Sequence, residues 1–183
     1  MKKLLVFVLV LGMASLANAA IVGDLELRIG GNAVDEYDVG VLPADITDIS
    51  ITNNEAISSG GLEGYFILIS ETGNAFDINS AVILNTDLFL DATGLDELEV
   101  PHPTGMDGVF GGVFNYGTTY AVDTVLFDDI KLTVNGSTLS IYEININEAE
   151  AWVLGDMMDE INIIPEPMTI TLLGLGGLLI RRK

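Results

Sequence analysis

The sequence contains no cysteine and one histidine, His102, among its 183 residues. Without cysteine the chain forms no disulfide bonds, so its fold depends on packing alone. A catalytic triad or a zinc centre needs histidine together with partners, and zinc centres usually use several His or Cys, but no second His and no Cys is present. Because Pro101 and Pro103 hold the backbone around His102 extended, we predict an exposed loop histidine without a catalytic role.

Basic residues are also scarce away from the two ends of the chain. Five of the seven Lys and Arg lie within the first three or last three positions, which leaves Arg28 and Lys131 for the segment 20–164. That segment holds 26 of the 27 acidic residues, a net charge of −24. Nucleic acid and anionic lipid head groups are disfavoured as partners because like charges repel. The segment is nevertheless rich in Ile, Leu, Val and Phe, which disordered acidic chains lack, so we expect it to fold.

The N-terminus has the three parts of a secretory signal peptide. Lys2 and Lys3 form a basic region, 4–12 is an apolar run, and Ala17 and Ala19 bracket a small-residue cleavage site. The apolar run is too short to span a membrane. We therefore predict a signal helix that is removed after Ala19, and export of the remaining chain.

The C-terminus has a second targeting pattern. A Pro-Glu-Pro motif precedes thirteen apolar or small residues, 168–180, and a basic end. As a helix that run is about 20 Å long, against about 30 Å for a bilayer core, so it is a marginal anchor. The order of these parts resembles the PEP-CTERM sorting signal of diderm bacteria. The resemblance implies a transient inner-membrane anchor and an exosortase as processing partner. The motif is Pro165, Glu166 and Pro167, and the basic membrane stop is Arg181, Arg182 and Lys183.

The two targeting patterns divide the chain into a signal peptide (1–19), an acidic domain (20–164) and a sorting tail (165–183). Apolar residues in the acidic domain recur with the period of β-strands. We predict an all-β fold, a single antiparallel β-sandwich of jelly-roll type, flanked by the signal helix and a membrane-seeking C-terminal helix. The predicted strands are 25–29, 46–51, 65–69, 81–84, 88–90, 119–122, 125–127, 130–134 and 137–146.

Three local patterns add detail to this prediction. Asn135-Gly136 between two alternating runs predicts a type I′ hairpin turn. The spacing of Ala149, Trp152 and Val153 indicates a short helix over 147–158. The Gly-rich stretch 105–112 is predicted to be a loop and is similar to one in cohesin-like surface proteins. The body as a whole weakly resembles cohesin-like and carbohydrate-binding sandwich domains.

Acidic loops offer the oxygen ligands that calcium prefers, so calcium is the one candidate cofactor. None of these loops has EF-hand spacing. Besides the run 96–99, the candidate ligands are Asp35, Asp38, Asp123, Asp128 and Asp129.

Three functions are compatible with the sequence. The first is a non-enzymatic protein of the cell surface or extracellular matrix that an exosortase sorts. The second is a carbohydrate-binding or cohesin-type recognition module, with extracellular polysaccharide as partner and Tyr116, Tyr120 and Trp152 as candidate stacking residues. The third is a hydrolase. A planar row of exposed aromatic rings would favour the second, and two carboxyls facing each other across a deep cleft would favour the third.

Overall fold

The computed structural model describes residues 24–57, 63–71, 73–114, 118–134, 138–147 and 151–165, and this part of the chain is all β. The signal peptide, the Asn135-Gly136 turn, Tyr116 and everything after Pro165 lie outside it. The described part contains no helix with the length and apolarity needed to cross a membrane. The strands are β1 (Leu25–Ile29), β2 (Asn32–Ala33), β3 (Glu36–Gly40), β4 (Ala44–Asn53), β5 (Glu63–Glu71), β6 (Ala75–Asp77), β7 (Val82–Ile83), β8 (Leu88–Asp91), β9 (Met106–Phe114), β10 (Thr124–Val134), β11 (Thr138–Ile146) and β12 (Trp152–Pro165).

The strands form two sheets that pack face to face as a β-sandwich, which confirms the predicted class. Sheet A has the order β2-β1-β4-β10-β6, with β7 also pairing with β10. Sheet B has the order β3-β12-β11-β5-β9-β8. The pairs are antiparallel except that β3 runs parallel to β12 at the edge of sheet B. The prediction of a purely antiparallel arrangement is therefore wrong at this edge.

The core lies between the two sheets and follows from the alternation of apolar residues. In β1 the side chains of Leu25, Leu27 and Ile29 are buried, while the residues between them face outward. Phe66 of sheet B meets Phe127 of sheet A edge-to-face, with ring centroids 5.4 Å apart. Contacts of this kind join the inner faces of both sheets into one apolar layer.

The Gly-rich stretch is a strand inside sheet B, so the loop prediction is wrong. β9 pairs with β5 along its whole length and with β8 on its other side. A Cβ at Gly111 would overlap the Phe66 ring, and one at Gly112 would lie 2.5 Å from Cε1 of Phe89. Glycine is therefore needed here because aromatic rings from the neighbouring strands lie directly over the β9 backbone.

The hairpin prediction is also wrong. β10 pairs with β4, β6 and β7 in sheet A, whereas β11 pairs with β5 and β12 in sheet B. The chain therefore crosses from one sheet to the other between Val134 and Thr138. Apolar and polar residues alternate in both strands because each strand buries one face in the shared core. This alternation arises whether or not the two strands pair with each other.

Two further elements differ from the predictions. Residues from Trp152 onward belong to β12 and not to a helix, because they pair with β11 through two register shifts that disturb the alternation. Of the predicted strand 119–122, Tyr120 forms only an isolated bridge with Ile57.

Asp159 links the two sheets at one open side of the sandwich. Its Oδ2 accepts a hydrogen bond from the backbone N–H of Leu27 in β1 at 2.7 Å, and its Oδ1 accepts one from Glu160 N–H at 2.8 Å. Burial raises the pKa of the Asp159 carboxyl above its usual 3.8, and the two hydrogen bonds oppose that rise. β2 pairs with β1 only at Arg28 and Ile29, so the carboxyl supplies an acceptor for the Leu27 N–H, which lies beyond the end of β2.

We predict that Asp159→Ala lowers the free energy of unfolding by about 1–3 kcal/mol, because the Leu27 N–H loses its acceptor. The pKa of Asp159 is raised in the folded state, so the stabilisation it provides falls as the pH rises through that pKa. The loss should therefore be larger near pH 4 than near pH 7, as measured by denaturant unfolding at both values. Asp156→Ala, at an exposed position of the same strand, is the control. An equal effect of the two substitutions would contradict this role of Asp159.

Candidate functional site

Three carboxylates meet on the exposed side of sheet A. Asp48 of β4 and Asp128 and Asp129 of β10 place carboxylate oxygens within 4.8 Å of one another. The pairing of β10 with β4 is irregular between Phe127 and Ile130, and Asp129 has a φ of 54°. This β-bulge lets two consecutive side chains of β10 reach the same surface. Oxygen ligands so close together suit a divalent cation such as calcium.

The other predicted calcium ligands do not join this cluster. Asp123 forms an ion pair with Arg28, with its Oδ1 2.8 Å from Nη2. Asp38 accepts a hydrogen bond from the Gly40 N–H, and Asp35 lies just before β3 at the far edge of sheet B. Asp48 was missing from the prediction because it lies in a regular strand pattern with no local feature of a ligand loop.

His102 lines a cleft of about 300 Å³ beside sheet B. Its side chain is only 15% exposed, and Nδ1 lies 2.8 Å from the Val100 carbonyl oxygen. His102 lies in a loop, as predicted, but the prediction that it is exposed is wrong. Nε2 lies 3.6 Å from Oδ1 of Asp96, beyond hydrogen-bond distance. The cleft is lined by Thr93, Gly94, Leu95, Asp96, Glu97, His102, Met106 and Asp107.

The loop that carries His102 is fixed to the outer face of sheet B. Leu95 and Val100 are buried there in a second apolar cluster with Ile67, Ile69 and Phe110. The loop closes on itself through a backbone hydrogen bond from Val100 N–H to the Leu95 carbonyl. The histidine is held in place because the residues before it are packed against the sheet.

An aromatic cluster occupies the remainder of this outer face. Trp152 meets Tyr65 edge-on with centroids 4.9 Å apart and an interplanar angle of 86°, and it meets Phe110 at 76°. Phe89 also packs edge-on against Phe110. The described rings therefore interlock and do not form a planar row. Tyr120 is 3% exposed, and its hydroxyl donates a hydrogen bond to Oδ1 of Asn85. Its ring is therefore too buried to stack on a ligand.

The predicted targeting residues lie almost entirely outside the described part. Pro165 is described and ends β12. Ala17 and Ala19, Glu166 and Pro167, and the basic end, Arg181, Arg182 and Lys183, remain predictions.

We predict that Asp128→Asn raises the melting temperature at low ionic strength, because it relieves repulsion among three neighbouring carboxylates. Calcium and magnesium should each raise the wild-type midpoint, and this increase should shrink in Asp128→Asn. Thermal melts at equal ionic strength measure both effects, with Asp24→Asn as a charge-matched control. If the two variants respond identically to both ions, cations do not gather at this cluster.

No protein-family model and no curated protein matches the sequence. Among solved structures, the chain is similar to a cohesin module from a family 33 glycoside hydrolase of Clostridium perfringens ATCC13124. The sequences are 15% identical, and the alignment covers 80% of this chain and 99% of that module with a TM-score of 0.38. This similarity bears on neither activity nor partners.

Proposed function

We propose that this chain is an exported, non-enzymatic protein of the cell surface or extracellular matrix. Its acidic β-sandwich is the mature body, and an exosortase sorts it through the C-terminal tail. In this proposal the signal peptide directs export, and the tail anchors the protein in the inner membrane of a diderm bacterium until it is processed.

The observation that carries this proposal is where the sandwich ends. β1 begins at Leu25, five residues after the proposed start of the mature chain at Ala20. β12 ends at Pro165, the first residue of the Pro-Glu-Pro motif. The packed strands thus lie between the two targeting segments and share only Pro165 with the tail, so loss of residues 168–183 leaves every described strand in place.

The environment of the carboxylates supports a non-enzymatic body. A general acid needs a carboxyl with a raised pKa that faces a substrate cleft. Asp159 has a raised pKa, but it already accepts two backbone hydrogen bonds between the sheets. The carboxylates of Asp48 and Asp129 are exposed on an open sheet surface.

We predict that the mature protein lacks residues 168–180 and the basic end, and that the double variant Pro165→Ala, Pro167→Ala retains them. Within the tail the variant changes only the motif, and within the sandwich it changes only Pro165, the last residue of β12. Intact-mass spectrometry of protein recovered from the native host measures the outcome. Pro101→Ala with Pro103→Ala is the matched control, which should be processed normally. A wild-type chain that still ends at Lys183 would show that the tail is not removed.

A carbohydrate-binding or cohesin-type recognition module is the second candidate. The outer face of sheet B does not present a planar row of rings, but it supplies aromatic surface that supports this candidate. Tyr65, Phe89, Tyr142 and Trp152 are half-buried there, so part of each ring is accessible to a ligand. Aromatic rings bind the apolar faces of sugars and of protein side chains without any contribution from charge. Such binding is therefore compatible with a domain whose net charge is −24.

We expect Trp152→Ala to abolish retention of the protein on insoluble extracellular polysaccharide, because it removes the largest ring of this surface. Co-sedimentation with the polysaccharide measures retention, and circular dichroism checks that the β-structure persists. Trp152→Phe, which keeps an aromatic ring, should retain partial binding. A wild-type protein that passes unretained counts against polysaccharide as the ligand.

A further inference from the structure

We propose that His102 and Asp96 form a binding site for a divalent transition-metal ion of the zinc class in the cleft beside sheet B. The proposal goes beyond the sorting and matrix role, since it concerns a different surface and a different ligand. It rests on the orientation of the imidazole, its spacing from Asp96 and the residues that line the cleft.

The hydrogen bond to Val100 decides which nitrogen of His102 is available. A backbone carbonyl can only accept a hydrogen bond, so Nδ1 carries the proton and donates it across 2.8 Å. In the neutral imidazole, Nε2 then has a free lone pair. Histidine ligands of metals have this arrangement, in which the second ring nitrogen donates to a carbonyl or carboxylate that fixes the tautomer and the ring orientation.

The spacing between His102 and Asp96 fits two ligands of one ion. Nε2 and Oδ1 are 3.6 Å apart, which is too far for a hydrogen bond. Two ligands at about 2.1 Å from a tetrahedral zinc ion are separated by about 3.4 Å. A metal ion between the two atoms therefore requires only a small adjustment of Asp96, whose side chain is 97% exposed and free to move.

Further oxygen ligands are present on the same cleft. Glu97 and Asp107 line it beside His102 and Asp96. Among the described residues, no third His, Asp or Glu forms a group with His102 and Asp96 in which all ligand atoms lie within 4.8 Å, so water completes the coordination unless one of the other carboxylates turns inward. A single imidazole distinguishes this site from the carboxylate cluster of sheet A, because imidazole binds zinc, copper and nickel, whereas calcium and magnesium take oxygen ligands.

His102 is the only histidine in the chain, so its imidazole gives a single, unambiguous nuclear magnetic resonance signal in the full-length protein. The experiment titrates this signal with Zn²⁺ and, separately, with Ca²⁺. We expect Zn²⁺ to shift it in one saturable step at one equivalent, and Ca²⁺ to leave it nearly unchanged. Isothermal titration calorimetry on the same samples gives the affinity.

Four variants test where the ion binds. His102→Gln should remove the one-equivalent Zn²⁺ step, and Asp96→Asn should weaken it by about tenfold or more. Glu99→Gln removes the same charge from the same loop at a residue that does not line the cleft, and it should bind Zn²⁺ nearly as well as the wild type. Asp128→Asn should also leave the step intact.

Three results would overturn the proposal. The first is Zn²⁺ binding that leaves the His102 signal unmoved. The second is an equal loss of affinity in Asp96→Asn and Glu99→Gln, which would indicate general attraction to the acidic surface. The third is a Ca²⁺ response that matches that of Zn²⁺. None of these results depends on the sorting tail, so the outcome is independent of whether the chain is processed.

Discussion

The apolar layer between the two sheets holds the sandwich together and determines where charged side chains can lie. A body with a net charge of −24 repels itself, and burial of apolar surface must offset that repulsion. The buried polar residues of the described chain are neutral Ser, Thr and Asn, so no charged side chain enters the layer there. An unpaired charge in this layer would cost several kcal/mol, about the whole stability of a small domain.

Because the layer excludes charge, all of the candidate chemistry lies on the outer faces of the sandwich. Sheet A carries the cluster of Asp48, Asp128 and Asp129. Sheet B carries a second apolar cluster, over which the loop with His102 is packed. The two faces thus differ in chemistry, one acidic and one aromatic, although both belong to the same sandwich.

The local alternation of apolar and polar residues predicted strands correctly where it continues over the whole strand. The predicted strand 25–29 coincides with β1, and most of the other predicted strands lie within observed ones. It failed at β9, because Gly111 and Gly112 are explained by the rings of Phe66 and Phe89, which come from other strands. A glycine that makes room for a distant aromatic ring is indistinguishable in sequence from a glycine in a loop.

Composition and neighbouring residues are enough to predict the strand periodicity, the apolar inner faces, the excess of acidic charge and the absence of disulfides. The folded structure is needed to learn which strands pair. It also placed Asp48 beside Asp128 and enclosed His102 in a cleft with Asp96 and Asp107. The physical reason is that alternation specifies which face of a strand is buried but not its neighbour. Sheet partners here are often far apart in the chain.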